Sequence, residues 1–140
     1  MPDTVLYTAE VTSIGDGRNG HVLSSDDRLD LELSAPPELG GPGGDGTNPE
    51  QLLAAAYAAC FHSSLRGLAL LAGVDAGQSA VTAQVGIGPE GDMYELVVTL
   101  IIVIPGLDRE QTRDLAEAAH QRCPYSRATR GNISVELRVP

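Results

Sequence analysis

Residues 48–73 read NPEQLLAAAYAACFHSSLRGLALLAG, and this stretch sets the fold class expected for the chain. Asn48 is a good N-cap, Pro49 suits a first helical turn, and Gln51 stands at the capping-box position. Helix formers then run to about Ala72, and Gly73 supplies the stop. The segment is apolar on nearly all sides from Ala54 to Ala59, which predicts a long helix buried at the centre of the molecule. Cys60 lies in its middle and Glu50 in its first turn.

Upstream, Val5 to Ile14 is rich in β-branched residues and reads as a strand. Gly15-Asp16-Gly17-Arg18-Asn19-Gly20 is a turn, and His21 to Ser25 resumes extended structure, giving a hairpin. From Arg28 to Ser34, leucines 29, 31 and 33 alternate with Arg28, Asp30 and Glu32, a half-buried strand. Residues 34–48 carry three prolines and five glycines. A loop of that length inside a compact domain is often functional.

Downstream, Ala80 to Ile87 alternates as a strand, and Pro89-Glu90-Gly91-Asp92 reads as a turn. Tyr94 to Ile104 is a strand apolar on both faces. One face can cover the helix; the other needs a second cover, which points to another subunit. Asp108 and Gln111 repeat the N-cap pattern for a helix reaching about Arg122, and Ile133 to Val139 forms a last strand. The order predicts an α+β fold with antiparallel sheets packed around the long helix, as one domain spanning residues 1–140.

Composition narrows the function. The chain is 42% hydrophobic with a formal net charge of -10, which repels phosphate backbones and anionic lipid. Only 4% of residues are aromatic and none is Trp, so stacking platforms for nucleic acid are not expected. All 9 Lys and Arg positions are arginine, which excludes Schiff-base chemistry and makes any cationic site an arginine site. The N-terminus lacks a basic segment followed by an apolar run, and Leu96–Ile104 is too short to cross a bilayer. A cytoplasmic protein is expected, where a cysteine pair is catalytic or metal-binding more often than a structural disulfide.

The two cysteines carry the candidate chemistry. Cysteine in an apolar helix is commonly just a small hydrophobe, and burial alone raises its pKa and makes it inert. A reactive Cys60 therefore needs a cation, and Arg18, between glycines in a hairpin turn, is the best candidate. Glu50 complements the helix dipole and can also clamp an arginine by a bidentate pair. Ten residues of helix separate Glu50 from Cys60, roughly 15 Å of rise. An arginine held by Glu50 cannot easily touch Cys60 of the same chain, which favours composite sites in a homodimer. Cys123, at a helix end before Pro124, is a candidate resolving thiol, provided the two Cα atoms come within about 7 Å.

Two other chemistries use the same residues. Cys60, His62, His120 and Cys123 would make a Cys2His2 zinc set, but Cys60 and His62 point to nearly opposite sides of a helix. A cysteine hydrolase would need a histidine base beside Cys60. His21, His62 and His120 are read instead as structural or surface residues.

The motifs GDGRNGHV (15–22), GTNPEQLLAAAYAACF (46–61) and CPYSRATRGN (123–132) together resemble the OsmC/Ohr family, in order and at the family's spacing. The NPEQL and CPYS…ATRGN segments are closer to its organic hydroperoxide resistance branch than to its osmotically induced branch. Arg127 departs from the family's usual Asn without touching a candidate site. The resemblance implies an intertwined homodimer with two interfacial sites and dithiol-dependent reduction of organic hydroperoxides to alcohols. It implies Cys60 as peroxidatic, Cys123 as resolving, and Arg18 with Glu50 as the activating pair. It implies no bound cofactor or metal, and an external dihydrolipoyl group on a lipoylated protein as electron donor. An apolar surrounding of alanines, leucines, Tyr57 and Phe61 would favour fatty-acyl or aryl hydroperoxides over hydrogen peroxide, apolar burial being worth about 25 cal/mol per Å². A peroxidase of the OsmC branch, a redox sensor and a carrier of apolar ligands are the alternative readings.

Overall fold

In the computed structural model, which describes residues 1–140, the signals at 48–73 produce one unbroken helix, α1, Pro49–Leu71. It ends in a Schellman motif: Val74 N–H donates to the Ala69 carbonyl at 2.8 Å and Gly73 N–H to that of Leu70 at 3.2 Å. Gly73 takes φ +70°, the left-handed conformation this motif requires and glycine adopts without penalty. The chain divides into two compact units, Met1–Pro49 and Glu50–Pro140.

In the first unit β1 (Val11–Ile14), β2 (His21–Ser24) and β3 (Asp30–Glu32) form an antiparallel sheet in that order, with Ile14 opposite His21 and His21 opposite Glu32. The expected strand from Val5 is corrected: only residues 11–14 pair. The partner strand turns away after Ser24, where Asp26 accepts from the Ser24 hydroxyl and the Arg28 N–H, so residues 5–9 meet no ladder in this chain. Val5, Leu6 and Tyr7 are left exposed. The Gly/Pro loop is ordered: Leu33 bridges Thr47, and Ser34 Oγ accepts from Gly46 N–H at 2.9 Å.

His21 binds carboxylates through both ring nitrogens, Nδ1 to Glu32 at 2.6 Å and Nε2 to Asp30. The bonds to Glu32 and Asp30 raise its pKa above the ordinary 6.5. A raised folded-state pKa contributes stability that is full below the unfolded value and is lost as pH rises through the folded one. Thermal midpoints of the unchanged protein and of His21→Gln should therefore differ most on the acid side of neutrality and converge as pH climbs above the raised value. A constant gap would sink this assignment.

In the second unit β4 (Ala80–Glu90) and β5 (Met93–Val103) pair in continuous antiparallel register to Glu90 opposite Met93. The turn is therefore only Gly91–Asp92, and Pro89 sits within β4, which is a sheet edge and can lack an N–H. The capping box expected at Asp108 is present, with Gln111 N–H on the Asp108 carboxylate at 2.8 Å, and opens α2 (Arg109–Arg122). Pro124 does not end the helical region but starts a short helix, α3 (Pro124–Thr129), since proline fits a first turn. The last strand, β6 (Ser134–Arg138), runs parallel to β5, because α2 and α3 carry the chain back to where β5 began. The antiparallel α+β reading holds for the other pairings.

Alternate residues of β5, Val98, Leu100, Ile102 and continuing Ile104, point into the core with Val81, Ala83 and Val85 opposite them or packed beside them. The stripe Tyr57, Phe61, Leu65 and Ala69 of α1 and Ala116 and Ala119 of α2 complete that core. Burying a side chain such as Phe61 or Leu65 is worth about 1.5–3 kcal/mol. One expectation is qualified: α1 buries a single stripe, while Ala55, Ala59 and Ser63 on its other side are exposed in the single chain. The second face of β5 is likewise open at Val97 and Val103. No helix is long and apolar enough to cross a membrane.

Candidate active site: the Cys60–Cys123 thiol pair

Two residues 63 apart in sequence meet here. Cys60, half-buried on α1, and Cys123, fully buried at the α2–α3 joint, stand with their Sγ atoms 3.8 Å apart, both as free thiols. A disulfide needs about 2.05 Å, so the pair is reduced but one small movement from bonding. The meeting follows from the core: Tyr57 and Phe61 flank Cys60 on the buried stripe, and Ala116 and Ala119 lead α2 down to Cys123.

Burial, and next the charge of the neighbouring Cys123 sulfur, push the Cys60 thiol above its ordinary pKa. The backbone N–H of Tyr125, which donates to the Cys60 sulfur, pulls the other way. That N–H favours the thiolate, and it is available because α3 has only begun and its first N–H groups have no helical partner. Tyr125 also sets its ring against that of Tyr57, centroids 5.9 Å apart, and stays half-exposed beside the thiol. Tyr57 and Phe61 themselves are fully buried. They pack the core instead of walling an open pocket, which corrects the expectation for them, and the exposed aromatic ring packed on Tyr57 is that of Tyr125.

A network of hydrogen-bonded side chains adjoins this site. The Tyr57 hydroxyl lies 2.8 Å from the Ser126 hydroxyl and 3.0 Å from that of Thr129. Ser126 Oγ is also 2.8 Å from His120 Nδ1, and Arg130 donates to the His120 carbonyl at 2.7 Å. Burial first, and Arg130 second, hold His120 below its ordinary pKa, so it is neutral at pH 7. A serine and a threonine three apart after CPY were the only sequence signal for this network.

The other candidates are placed as follows. Arg18 occupies the 3-10 turn Gly17–Asn19 between β1 and β2. The turn is stiff: Gly20 N–H bonds to the Gly17 carbonyl at 3.0 Å, and Asn19 Oδ1 accepts from Ala35 N–H at 2.9 Å. A Cβ at Gly20 would lie 2.2 Å from the Ile14 carbonyl oxygen, so the last glycine of GDGRNG is there for close approach. Glu50 lies in the first turn of α1, and since that helix is unbroken it stands about 15 Å along the axis from Cys60. His62 bonds to the Ser79 hydroxyl at 2.9 Å and His120 to Ser126, so the zinc set does not assemble. No group of three or more His, Cys, Asp and Glu side chains comes together that could hold a metal ion.

The site thus pairs a half-buried thiol with a fully buried one on a mixed α/β frame. The OsmC-like protein family matches residues 41–138. An organic hydroperoxide resistance protein of Xanthomonas axonopodis pv. citri is 50% identical over 137 residues, 97% of this chain and 96% of that one. Among solved structures, the organic hydroperoxide resistance protein OsmC of Legionella pneumophila superposes with a TM-score of 0.90 at 43% identity, covering 97% of this chain and 98% of that one. OhrB of Bacillus subtilis gives 0.86 at 41%, covering 97% and 100%. The chain therefore belongs to the OsmC/Ohr family, within its organic hydroperoxide resistance branch. That membership supports an oxidoreductase role in organic hydroperoxide resistance.

Proposed function

We propose that the protein is a dithiol-dependent peroxidase that reduces fatty-acyl or aryl hydroperoxides to alcohols. Cys60 as thiolate attacks the terminal oxygen of R–O–OH; the O–O bond breaks, R–O⁻ takes a proton and leaves as R–OH, and the sulfur becomes sulfenic acid. Cys123 then attacks that sulfur: the S–S bond forms, the S–O bond breaks, and the leaving hydroxide takes the thiol proton as water. An external dithiol, a dihydrolipoyl group on a lipoylated protein, returns two electrons by thiol–disulfide exchange. Arg18 stabilises the Cys60 thiolate and hydrogen-bonds the peroxide, and Glu50 orients Arg18. Residues 1–140 act as a single domain in an intertwined homodimer in the cytoplasm, with no bound cofactor. The exposed outer face of β5 and the unpaired segment from Val5 favour such a partner.

The observation that carries this reading is the 3.8 Å Cys60–Cys123 separation across 63 residues of chain. The test is intact mass under non-reducing, denaturing conditions after one equivalent of oxidant. An organic hydroperoxide should remove two hydrogens quickly and hydrogen peroxide much more slowly. No disulfide with either would overturn the peroxidase and favour a ligand carrier.

A further inference from the structure

We infer that the hydrogen-bonded chain Tyr57–Ser126–His120 is a positioning device for the disulfide-forming step, holding Cys123 against Cys60 while the sulfenic acid is resolved. The inference rests on the two-thiol peroxidase reading and adds three residues to it, none of which touches the reacting oxygen.

The placement of the three residues is what argues for this. Tyr57 precedes Cys60 by three residues on α1, His120 precedes Cys123 by three on α2, and Ser126 follows Cys123 by three on α3. One hydroxyl, Ser126 Oγ, therefore joins the helix of the first sulfur to both helices that flank the second, at 2.8 Å each way. Tyr57 and Ser126 are fully buried, so water does not compete for these bonds.

The joint needs such a strap. Cys123 is the single extended residue between α2 and α3, at φ -64°, ψ 125°, and the next residue, Pro124, has no N–H to bond back across it. Backbone bonds tie Cys123 to each helix separately: its N–H donates to the Ala119 carbonyl at 2.8 Å, and its carbonyl accepts from the Arg127 N–H at 3.0 Å. Side chains bond one helix to the other, His120 to Ser126 and Arg130 to the His120 carbonyl. The His120–Ser126 bond spans the joint, and Tyr57 fixes its distance from α1. Neutral His120 lets the chain run in either sense: Tyr57 O–H to Ser126 to Nδ1, or Nδ1–H to Ser126 to Tyr57. Ser126 Oγ is bonded on both sides, to Tyr57 and to His120.

During resolution the sulfurs must close from 3.8 Å to about 2.05 Å, along a line set by the departing oxygen. Attack of Cys60 on the peroxide makes no such demand on Cys123. Loosening the strap should therefore slow the second step and spare the first, leaving sulfenic acid exposed to a second peroxide, which would carry it to sulfinic acid.

The experiment compares the unchanged protein with Ser126→Ala, Tyr57→Phe, His120→Ala and His120→Asn, without dithiol, by rapid acid quench and mass. Ser126→Ala and His120→Ala should consume the first equivalent within about twofold of the unchanged rate but form disulfide about tenfold more slowly, as small misalignments do. Their sulfinic acid fraction should rise with excess hydroperoxide. His120→Asn, whose amide nitrogen stands near the position of Nδ1, should restore the disulfide rate. Tyr57→Phe removes one oxygen and keeps the core filled, so it reports even if another variant folds poorly. Unchanged partition between disulfide and sulfinic acid in all four, or equal slowing of both steps, overturns the inference while the peroxidase stands. No disulfide in the unchanged protein overturns both.

Discussion

Cys60→Ser should reduce peroxide turnover to background, a loss of roughly 10³-fold or more, as removal of a covalent nucleophile does. Three features of the site require this. Cys60 is half-buried while Cys123 is fully buried, so Cys60 is the more accessible of the two sulfurs. The Tyr125 N–H donates to the Cys60 sulfur and partly offsets the burial and the Cys123 sulfur that raise its pKa. A serine hydroxyl at the same point has neither an accessible anion at neutral pH nor a sulfur to carry oxygen. The fold should survive, because the buried stripe of α1 runs through Tyr57, Phe61 and Leu65 and not through residue 60. A stability change of about 1 kcal/mol is the expected scale. Hydroperoxide consumption with a dithiol present, measured beside the melting midpoint, checks both statements. Cys123→Ser is the contrasting arm: it should reduce one equivalent and then accumulate overoxidised Cys60. Sustained turnover by Cys60→Ser would remove the nucleophile assignment.

What could be read in the chain, and what could not, divides by range. The start and stop of α1, the capping box at Asp108 and the β4–β5 hairpin are set by neighbours within a few residues, and all form. The segment before Val11 reads as strand because its side chains suit one, but a strand also needs a partner, and β2 turns off at Ser24. The parallel entry of β6 depends on where two intervening helices return the chain, which local pattern does not encode. At the site, Cys60 and Cys123 were visible as chemistry, and their 3.8 Å meeting was not, since it is a property of the packed core. The bonding of Tyr57, Ser126 and His120 to one another was not visible for the same reason. Tyr57 and Ser126 are 69 positions apart, and each looks ordinary until the core closes around it.

Arg18→Ala should slow oxidation of Cys60 by tenfold or more and raise the pKa of its thiol, because a positive charge beside a thiol favours the thiolate. An ordinary thiol is only a few per cent thiolate at neutral pH, and burial together with the Cys123 sulfur drives Cys60 lower still. One backbone N–H works against two raising effects, so a fast peroxidase on this frame requires a cation. The chain contains no lysine, and the metal alternative has no ligand cluster to support it. That leaves arginine, and Arg18 is held in a turn whose stiffness comes from Gly20, Asn19 and the Ala35 N–H. Glu50 and Cys60 sit about 15 Å apart on a straight helix, so an arginine clamped by one and activating the other is served most easily by two copies of the chain. Mixing Arg18→Ala protein with Cys60→Ser protein tests that arrangement. If the sites are composite, mixed dimers pair an intact arginine with an intact cysteine and recover activity that neither variant has alone. If Arg18 serves its own Cys60, the mixture stays at the sum of its parts. A thiol titration of Arg18→Ala that matches the unchanged protein would sink the activation model in either arrangement.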